Sequence, residues 1–406
     1  MNWSVSLPVA IRVFIVGLLL PACFGSAQST ASVAPEKIRV ATFNTSLYRD
    51  AAGELTTELT TGTSRQARHL AAILQTVRPD IVLLNEIDYQ RDHAAVKRFV
   101  EDYLAKPSET STVQGVLQPL AYPYFFAAPV NTGVDSGLDL DGDGKQHGLG
   151  DNFGFGRYAG QYGMAILSRF PIDESQVRTF QNMKWSDLPD ALVPIDPDTN
   201  QPYYSTTAWQ ALRLSSKSHW DVPIRIGERT LHLLASHPTP PAFDGPEDRN
   251  GCRNHDEIRF WLDYLDPHRG SGLQDDSGAM VGLPPGAMFV IAGDLNADPQ
   301  DGSGRSAAIR QLLAADRVQD TAPRSAGAAA AGIRLGGKNA THCGEHALDT
   351  ARFSPRGVGN LRVDYVLPSS NLDVLGSGVF WPLDDDPRAA WLTATDHRLV
   401  WADLRW

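Results

Sequence analysis

Cysteine is nearly absent from this chain, with three in 406 residues, and no Cys/His spacing resembles a structural zinc site. Any metal chemistry must therefore come from oxygen ligands. Long apolar runs are lacking too. The one such run, Val13 to Phe24, contains Pro21 and falls short of the roughly 20 residues that span a bilayer. Basic residues are outnumbered, 36 Lys+Arg against 47 Asp+Glu, and no basic run of five occurs, which leaves a nucleic-acid binder only a local groove to work with. No repeat and no heptad pattern appears, which excludes solenoids and coiled coils. What is present is 42% hydrophobic and 20% charged residues, a balance that excludes disorder and allows a sizeable core.

The N-terminus reads as a signal peptide. Arg12 supplies a thin positive region, Val13 to Leu20 the apolar region, and Gly25-Ser26-Ala27 the small residues before a cut after Ala27. Leu20-Pro21-Ala22-Cys23 is close to a lipobox, which would make Cys23 a lipidated N-terminus, although Pro at its second position counts against this. The expectation is an exported protein, periplasmic or secreted, with no transmembrane span. Loss of Cys23 leaves Cys252 and Cys343, an even pair that an oxidising compartment would join as a disulfide; two separate thiols are the alternative.

After a short segment at 28–36, residues 37–406 alternate short β-rich runs with amphipathic helical stretches, an α/β pattern without an internal linker. The expected strands are Ile38–Phe43, Ile81–Asn85, Gly163–Leu167, Thr230–Ser236, Met288–Ala292, Arg362–Leu367 and Leu399–Leu404. Helical spacing is clearest in Arg65–Gln75, Glu257–Leu265 and Ser306–Leu313. Long loop insertions are expected near 131–160, 267–287 and 325–341, the last an Ala/Gly-rich stretch read as mobile.

Nearly every expected strand ends in a polar cluster, and strand ends are where α/β folds place chemistry. Val40-Ala41-Thr42-Phe43 closes on Asn44, a residue that also serves as a turn or cap. Ile81-Val82-Leu83-Leu84-Asn85 leads to Glu86, a carboxylate that must be paired, protonated or bound to a cation where it leaves a buried strand. Leu233-Leu234-Ala235-Ser236 leads to His237. Phe289-Val290-Ile291-Ala292-Gly293 leads to Asp294-Leu295-Asn296, whose two polar side chains project to one side if the chain stays extended; an Asx-turn is the other reading. Asp364 lies within an apolar strand and needs a partner, and Asp396-His397, just before the last strand, can supply it.

Together and in this order, these clusters resemble the endonuclease/exonuclease/phosphatase superfamily, the metal-dependent phosphoesterases that include deoxyribonuclease I, abasic-site endonucleases, sphingomyelinases and inositol polyphosphate 5-phosphatases. The resemblance runs from about Lys37 to Trp406. It implies an α/β four-layer sandwich, two packed mixed β-sheets flanked by helices, and one catalytic domain. It also implies Glu86, Asn44 and Asp396 as the group around Mg²⁺ or Mn²⁺. By the same resemblance Asp294 activates the attacking water, Asn296 orients it, His237 and His397 face the phosphoryl oxygens, and Asp364 orients His397. Substrates implied are phosphoesters: a small molecule, a lipid head group or a nucleic acid. No protein partner is implied.

Two departures bear on substrate. Ser46 stands where some members carry an acid, and Asp88 stands where deoxyribonuclease I-like enzymes carry a DNA-facing base, so weight moves from a secreted nuclease toward a phosphodiesterase or phosphatase. A non-catalytic metal- or surface-binding homologue is the remaining alternative. Arg249 and Arg253, following the His237 motif, are candidate substrate contacts, although the start of a disulfide-anchored helix explains the segment equally well. Tyr162 is a further candidate. Asp139-Leu140-Asp141-Gly142-Asp143 resembles the opening of a calcium loop, but Gly150 occupies the position where an EF-hand needs Glu. A structural Ca²⁺ and a solvated Asp/Gly turn both remain open there.

Overall fold

The chain is described by a computed structural model covering residues 1–2, 35–109, 115–280 and 282–406. The expected signal peptide, its cleavage site and Cys23 lie outside the described residues. Ala34–Trp406 form one compact unit.

Eleven strands build two sheets. In chain order they are β1 Lys37–Leu47, β2 Ile81–Ile87, β3 Tyr124–Phe126, β4 Met164–Ser168, β5 Arg178–Thr179, β6 His219–Ile226, β7 Arg229–Ser236, β8 Met288–Asp294, β9 Asp364–Pro368, β10 Val374–Val379 and β11 Val400–Arg405. The first sheet runs β10-β11-β1-β2-β4-β3 and the second β9-β8-β7-β6-β5. Each is mixed: β1 lies parallel to β2 and β7 parallel to β8, while their other neighbours are antiparallel. The helices are α1 Glu54–Thr60, α2 Arg65–Val77, α3 Ala94–Phe99, α4 Thr206–Ala211, α5 Arg249–Leu265, α6 Ala307–Leu313 and α7 Ala326–Leu335.

Strand alternation sorts the apolar side chains into three cores. On β2, Ile81 and Leu83 face the second sheet, while Val82 and Leu84 face α2 and α3. On β8, Val290 and Ala292 face the first sheet, and Phe289 and Ile291 pack under α5 and α6. The result is the expected four-layer sandwich. α2 begins where the Ser64 hydroxyl accepts the Ala67 N–H at 3.3 Å, and buries Ala67, Leu70, Ala71 and Leu74. α5 carries Phe260, Trp261 and Tyr264 inward, with the Trp261 indole N–H donating to the Ser236 hydroxyl at 2.9 Å.

Two expectations are corrected here. The stretch 325–341 is not a loop: it forms α7 and a short 3-10 turn, because Ser325 caps the Ala328 N–H at 3.0 Å and alanine is the best helix former. Cys252 and Cys343 are both free thiols. Cys252 is turned by α5 into the outer core of the second sheet, where burial raises its pKa to about 11, while Cys343 is exposed on a loop whose N–H donates to Asp301.

Candidate active site

The polar residues that end the strands share the parity of the inter-sheet core. Asn44 continues the side occupied by Val40, His237 that of Leu233 and Ala235, Asp294 that of Val290 and Ala292, and Asp364 that of Val366. They therefore meet where the two sheets open at one end. The Asn44 amide donates to Asp294 Oδ2 at 3.0 Å, a bond that bridges the sheets. Just before Asp294, Gly293 lets β8 run close beside β7, since a Cβ there would lie 2.1 Å from the Ser236 carbonyl oxygen.

Around Asp294 Oδ2 stand two imidazoles, His237 Nε2 at 3.4 Å and His397 Nε2 at 3.5 Å. Asp364 holds His397 from behind, its carboxylate 3.0 Å from Nδ1, and accepts the Thr350 hydroxyl at 2.8 Å. The two histidines differ in charge. Burial opposes protonation of His397, yet Asp364 and Asp294 outweigh it and carry its pKa up to about 10. His237 lacks such a partner; burial, helped by the charge of Lys217, brings it down to about 4, and its Nδ1 is buried with no hydrogen bond. Burial also opposes the charge on Asp294, but His397, His237 and Asn44 hold its carboxyl well below the usual carboxylate range.

Glu86 stands at the edge of this group with 22% of its side chain exposed and Oε1 3.9 Å from His237 Nε2. Burial raises its pKa, with the nearby His397 and Asn44 opposing. Asp396 is at the mouth of the cleft, 52% exposed, with Oδ1 3.9 Å from His397 Nε2. The donors here are carboxylate and amide oxygens, a set that suits a hard divalent cation such as Mg²⁺ or Mn²⁺ and not a thiophilic one. Ser46, Glu86, Tyr162 and Asn296 all have φ between 48° and 57°, so left-handed backbone recurs at the cleft.

Sequence reading and structure part at several points. The chain does not stay extended through Asn296. It turns, with the Asn296 N–H donating to Asp294 Oδ1 at 2.9 Å and the side-chain amide donating to the Pro238 carbonyl, so the Asx-turn reading holds. Arg253 is not directed at substrate: its guanidinium donates to the carbonyls of Leu214, Phe153 and Arg213 and fastens those segments to α5. Arg249 pairs with Glu247 and covers the Tyr203 ring, away from the cleft residues. Asp88 is buried, accepting the Arg49 N–H at 3.0 Å and the Tyr158 hydroxyl at 2.6 Å.

Tyr162 does join the cleft wall, its ring centroid 4.4 Å from that of Tyr48, and both feel the charge of Glu86. Burial raises the Tyr162 hydroxyl to about 12, so it stays protonated. Apart from the cleft, Asp139, Asp141 and Asp143 each place a carboxylate oxygen within 4.8 Å of the others. Asp151 is spent on the N–H groups of Leu140 and Gly148, both at 2.8 Å. One residue near the cleft escaped the sequence reading altogether. Lys217 is buried between Ser216 and Ser218, in a segment with no apolar pattern to mark it.

A sandwich of two mixed sheets flanked by helices, with carboxylates and imidazoles where the sheets open, is a phosphoesterase- and nuclease-like fold. The sequence profile of the Endonuclease/Exonuclease/phosphatase family matches residues 41–397, and this chain belongs to that family. Its members are generally metal-dependent hydrolases. Among solved structures, the chain is similar to an endonuclease/exonuclease/phosphatase from Beutenbergia cavernae, at 19% identity and TM-score 0.49, covering 91% of this chain and 72% of that one. It is also similar to TDP2 from Caenorhabditis elegans, at 16% identity and TM-score 0.43, covering 91% and 74%. Sphingomyelinase C from Streptomyces griseocarneus matches at 16% identity and TM-score 0.44, covering 90% and 99%. Compared with curated proteins, the sequence matches none.

Proposed function

We propose that this chain is an exported, divalent-metal-dependent phosphoester hydrolase that works by in-line attack of water. The observation that supports this best is the continuous chain of contacts Asn44–Asp294–His397–Asp364, which joins both sheets and sets an anionic acceptor beside a cationic imidazole. Glu86, with Asn44 and Asp396, would hold the cation; when bound, it neutralises charge on the phosphoryl oxygens. Asp294 accepts a hydrogen bond from the attacking water, and Asn296, fixed by its turn, orients it. His397, kept protonated by Asp364, donates to the oxygen that gains charge as the ester bond breaks. His237, neutral, donates a second hydrogen bond to a phosphoryl oxygen. Export rests on the sequence of residues 1–27 alone, and a structural Ca²⁺ on Asp139, Asp141 and Asp143 is a separate reading that their convergence supports.

For substrate we favour a small phosphodiester or phosphomonoester, or a lipid head group, because the formal net charge is −11 and Asp88 adds no basic contact. A secreted nuclease is the alternative. The deciding experiment is hydrolysis of bis-p-nitrophenyl phosphate and plasmid DNA by purified residues 28–406 with EDTA, Mg²⁺, Mn²⁺ or Ca²⁺. Metal-dependent cleavage of the small diester without nicking is the expected result, and nicking would establish the nuclease. Asp294→Ala and His397→Ala are each expected to remove turnover by at least about 100-fold in a folded protein. Rates near wild type in either variant would remove the mechanism.

A further inference from the structure

Among the described residues, three aromatic side chains beside the cleft belong to none of the hydrophobic cores: Tyr48, Tyr162 and Phe155. Tyr48 follows β1 and Tyr162 stands two residues before β4, so the two flank the end of β2, where Glu86 is. The Asp88 N–H donates to the Leu47 carbonyl at 3.0 Å and the Ile87 N–H to the Gly163 carbonyl at 3.1 Å, which places each tyrosine next to the residues that follow Glu86. Leu47 and Ile87 both turn into the outer core of the first sheet. Their neighbours Tyr48 and Glu86 are thereby turned to the opposite side, where Glu86 Oε1 lies 3.9 Å from His237 Nε2. The Tyr162 ring meets that of Tyr48 there, with centroids 4.4 Å apart. Phe155 extends the row outward, 6.4 Å from Tyr162, with the two planes 34° apart and 61% of its own surface exposed.

The backbone fixes this row in place. Gln161, fully buried, donates its side-chain amide to the Arg49 carbonyl at 2.7 Å and accepts the Arg157 N–H at 2.7 Å, so the neighbours of Tyr48 and Tyr162 are tied to each other. These bonds hold Tyr162 at a φ of 57°, a conformation that bulky residues rarely adopt. Phe155 stands between two glycines. A Cβ on Gly154 would lie 2.1 Å from the Ser216 carbonyl oxygen and one on Gly156 2.7 Å from the Gly133 nitrogen, so the turn that presents Phe155 is packed hard against its support. Single exposed apolar side chains are ordinary on a protein surface. Three neighbouring rings on a buried and strained backbone, running from solvent up to Glu86, are a built face.

We propose that Phe155, Tyr162 and Tyr48 form a stacking face that selects phosphoesters carrying a planar ring, the ring lying on Phe155 and Tyr162 while the phosphate reaches Glu86. The substrate class follows from the chemistry of the face. Aromatic faces reward a flat π-system over an alkyl group, and the row ends at the carboxylate assigned to the cation. This rests on the hydrolytic reading for the reaction but not for the ring. The three side chains take no part in bond making; they set which ester is held.

The test uses the full chain with Mg²⁺ and a pair of probes that cannot be hydrolysed, phenylphosphonate and methylphosphonate, titrated by calorimetry. Wild type should bind the phenyl compound about 10-fold more tightly. Phe155→Ala and Tyr162→Leu should each cut that ratio by at least about 3-fold, and Phe155→Trp should keep it. Phe155 is exposed, so its variants decide alone if Tyr162→Leu does not fold. Kinetics give the same comparison with a common leaving group, from kcat/KM for p-nitrophenyl phenyl phosphate against methyl p-nitrophenyl phosphate. The intrinsic reactivities of the esters cancel when variant is set against wild type. The p-nitrophenyl ester of thymidine monophosphate, run beside them, tells a nucleobase from a plain aryl ring as the preferred occupant. A wild-type ratio near one, or a ratio that Phe155→Ala and Tyr162→Leu leave unchanged, overturns the proposal whether or not the esters are hydrolysed. A ring preference that falls in these variants, in a chain that hydrolyses no ester, upholds the stacking face while removing the hydrolytic reading.

Discussion

Asp349 carries a charge that the fold tolerates poorly. Its carboxylate is buried, Oδ2 has no hydrogen-bond donor, and His346 Nδ1 lies 3.5 Å away without a hydrogen bond to it. Burial, then repulsion from Asp298 and Asp301, pushes its pKa up to about 8. A carboxyl whose pKa is raised on folding binds its proton more tightly in the native state. Native stability therefore falls as pH climbs from the ordinary carboxylate range toward 8, and levels off above it. Asp349→Asn, neutral at every pH, should be more stable than wild type by about 2 kcal/mol at pH 8.5 in urea or thermal unfolding. The gain should shrink steadily toward pH 5; a difference independent of pH would contradict this account. Asp349 and Lys217 share a reason for having escaped the sequence reading. Glu86, Asp294 and Asp364 each interrupt or end an apolar strand, so their burial is written in their neighbours, whereas Asp349 and Lys217 sit in polar segments that only the tertiary fold covers.

At the scale of elements, α7 is where composition misled. Ala326–Leu335 contains two glycines, and in isolation such a stretch is a weak helix with no amphipathic face. Packing explains both glycines. A Cβ on Gly327 would lie 2.1 Å from the Trp381 carbonyl oxygen, and one on Gly332 would lie 2.3 Å from the His346 ring. Gly327→Ala should therefore destabilise the protein by about 2 kcal/mol even though alanine has the higher helix propensity, because the helix must move off its support. A neutral or stabilising result in thermal unfolding would show that the contact relaxes freely. β6 was missed for a related cause. Pro223 and Arg225 disfavour a strand by composition, but beyond β5 the outer side of β6 meets only the 171–173 segment, where the Pro223 carbonyl accepts the Asp173 N–H at 2.9 Å and no N–H is asked of Pro223.

For the whole molecule, the formal charge of −11 is gathered partly where two sheets bring carboxylates together, and a divalent cation bound there would offset that repulsion. Mg²⁺ in hundredfold excess over its Kd should raise the stability of the native chain by about 3 kcal/mol. Glu86→Gln should abolish that rise while leaving the metal-free protein at least as stable as wild type, since the carboxyl it replaces is itself raised by burial. A Mg²⁺-dependent shift that survives in Glu86→Gln would place the cation elsewhere, the Asp139–Asp143 loop being the first place to look.

The residues themselves determined the α/β class, the strands that carry the site and the order of the polar groups at their ends, because burial of an apolar strand and the parity of its side chains are local properties that a period of two records. Asn44, Asp294 and Asp364 could thus be placed on their strands before any contact was known, while their roles rested on the family resemblance. Only the tertiary structure decided which strand ends share a cleft, that Asn296 turns back on Asp294, that Arg253 is spent on carbonyls, and that Cys252 and Cys343 stay apart. These depend on distances between segments far apart in the chain, and on which donors are already satisfied, neither of which leaves a mark on neighbouring residues.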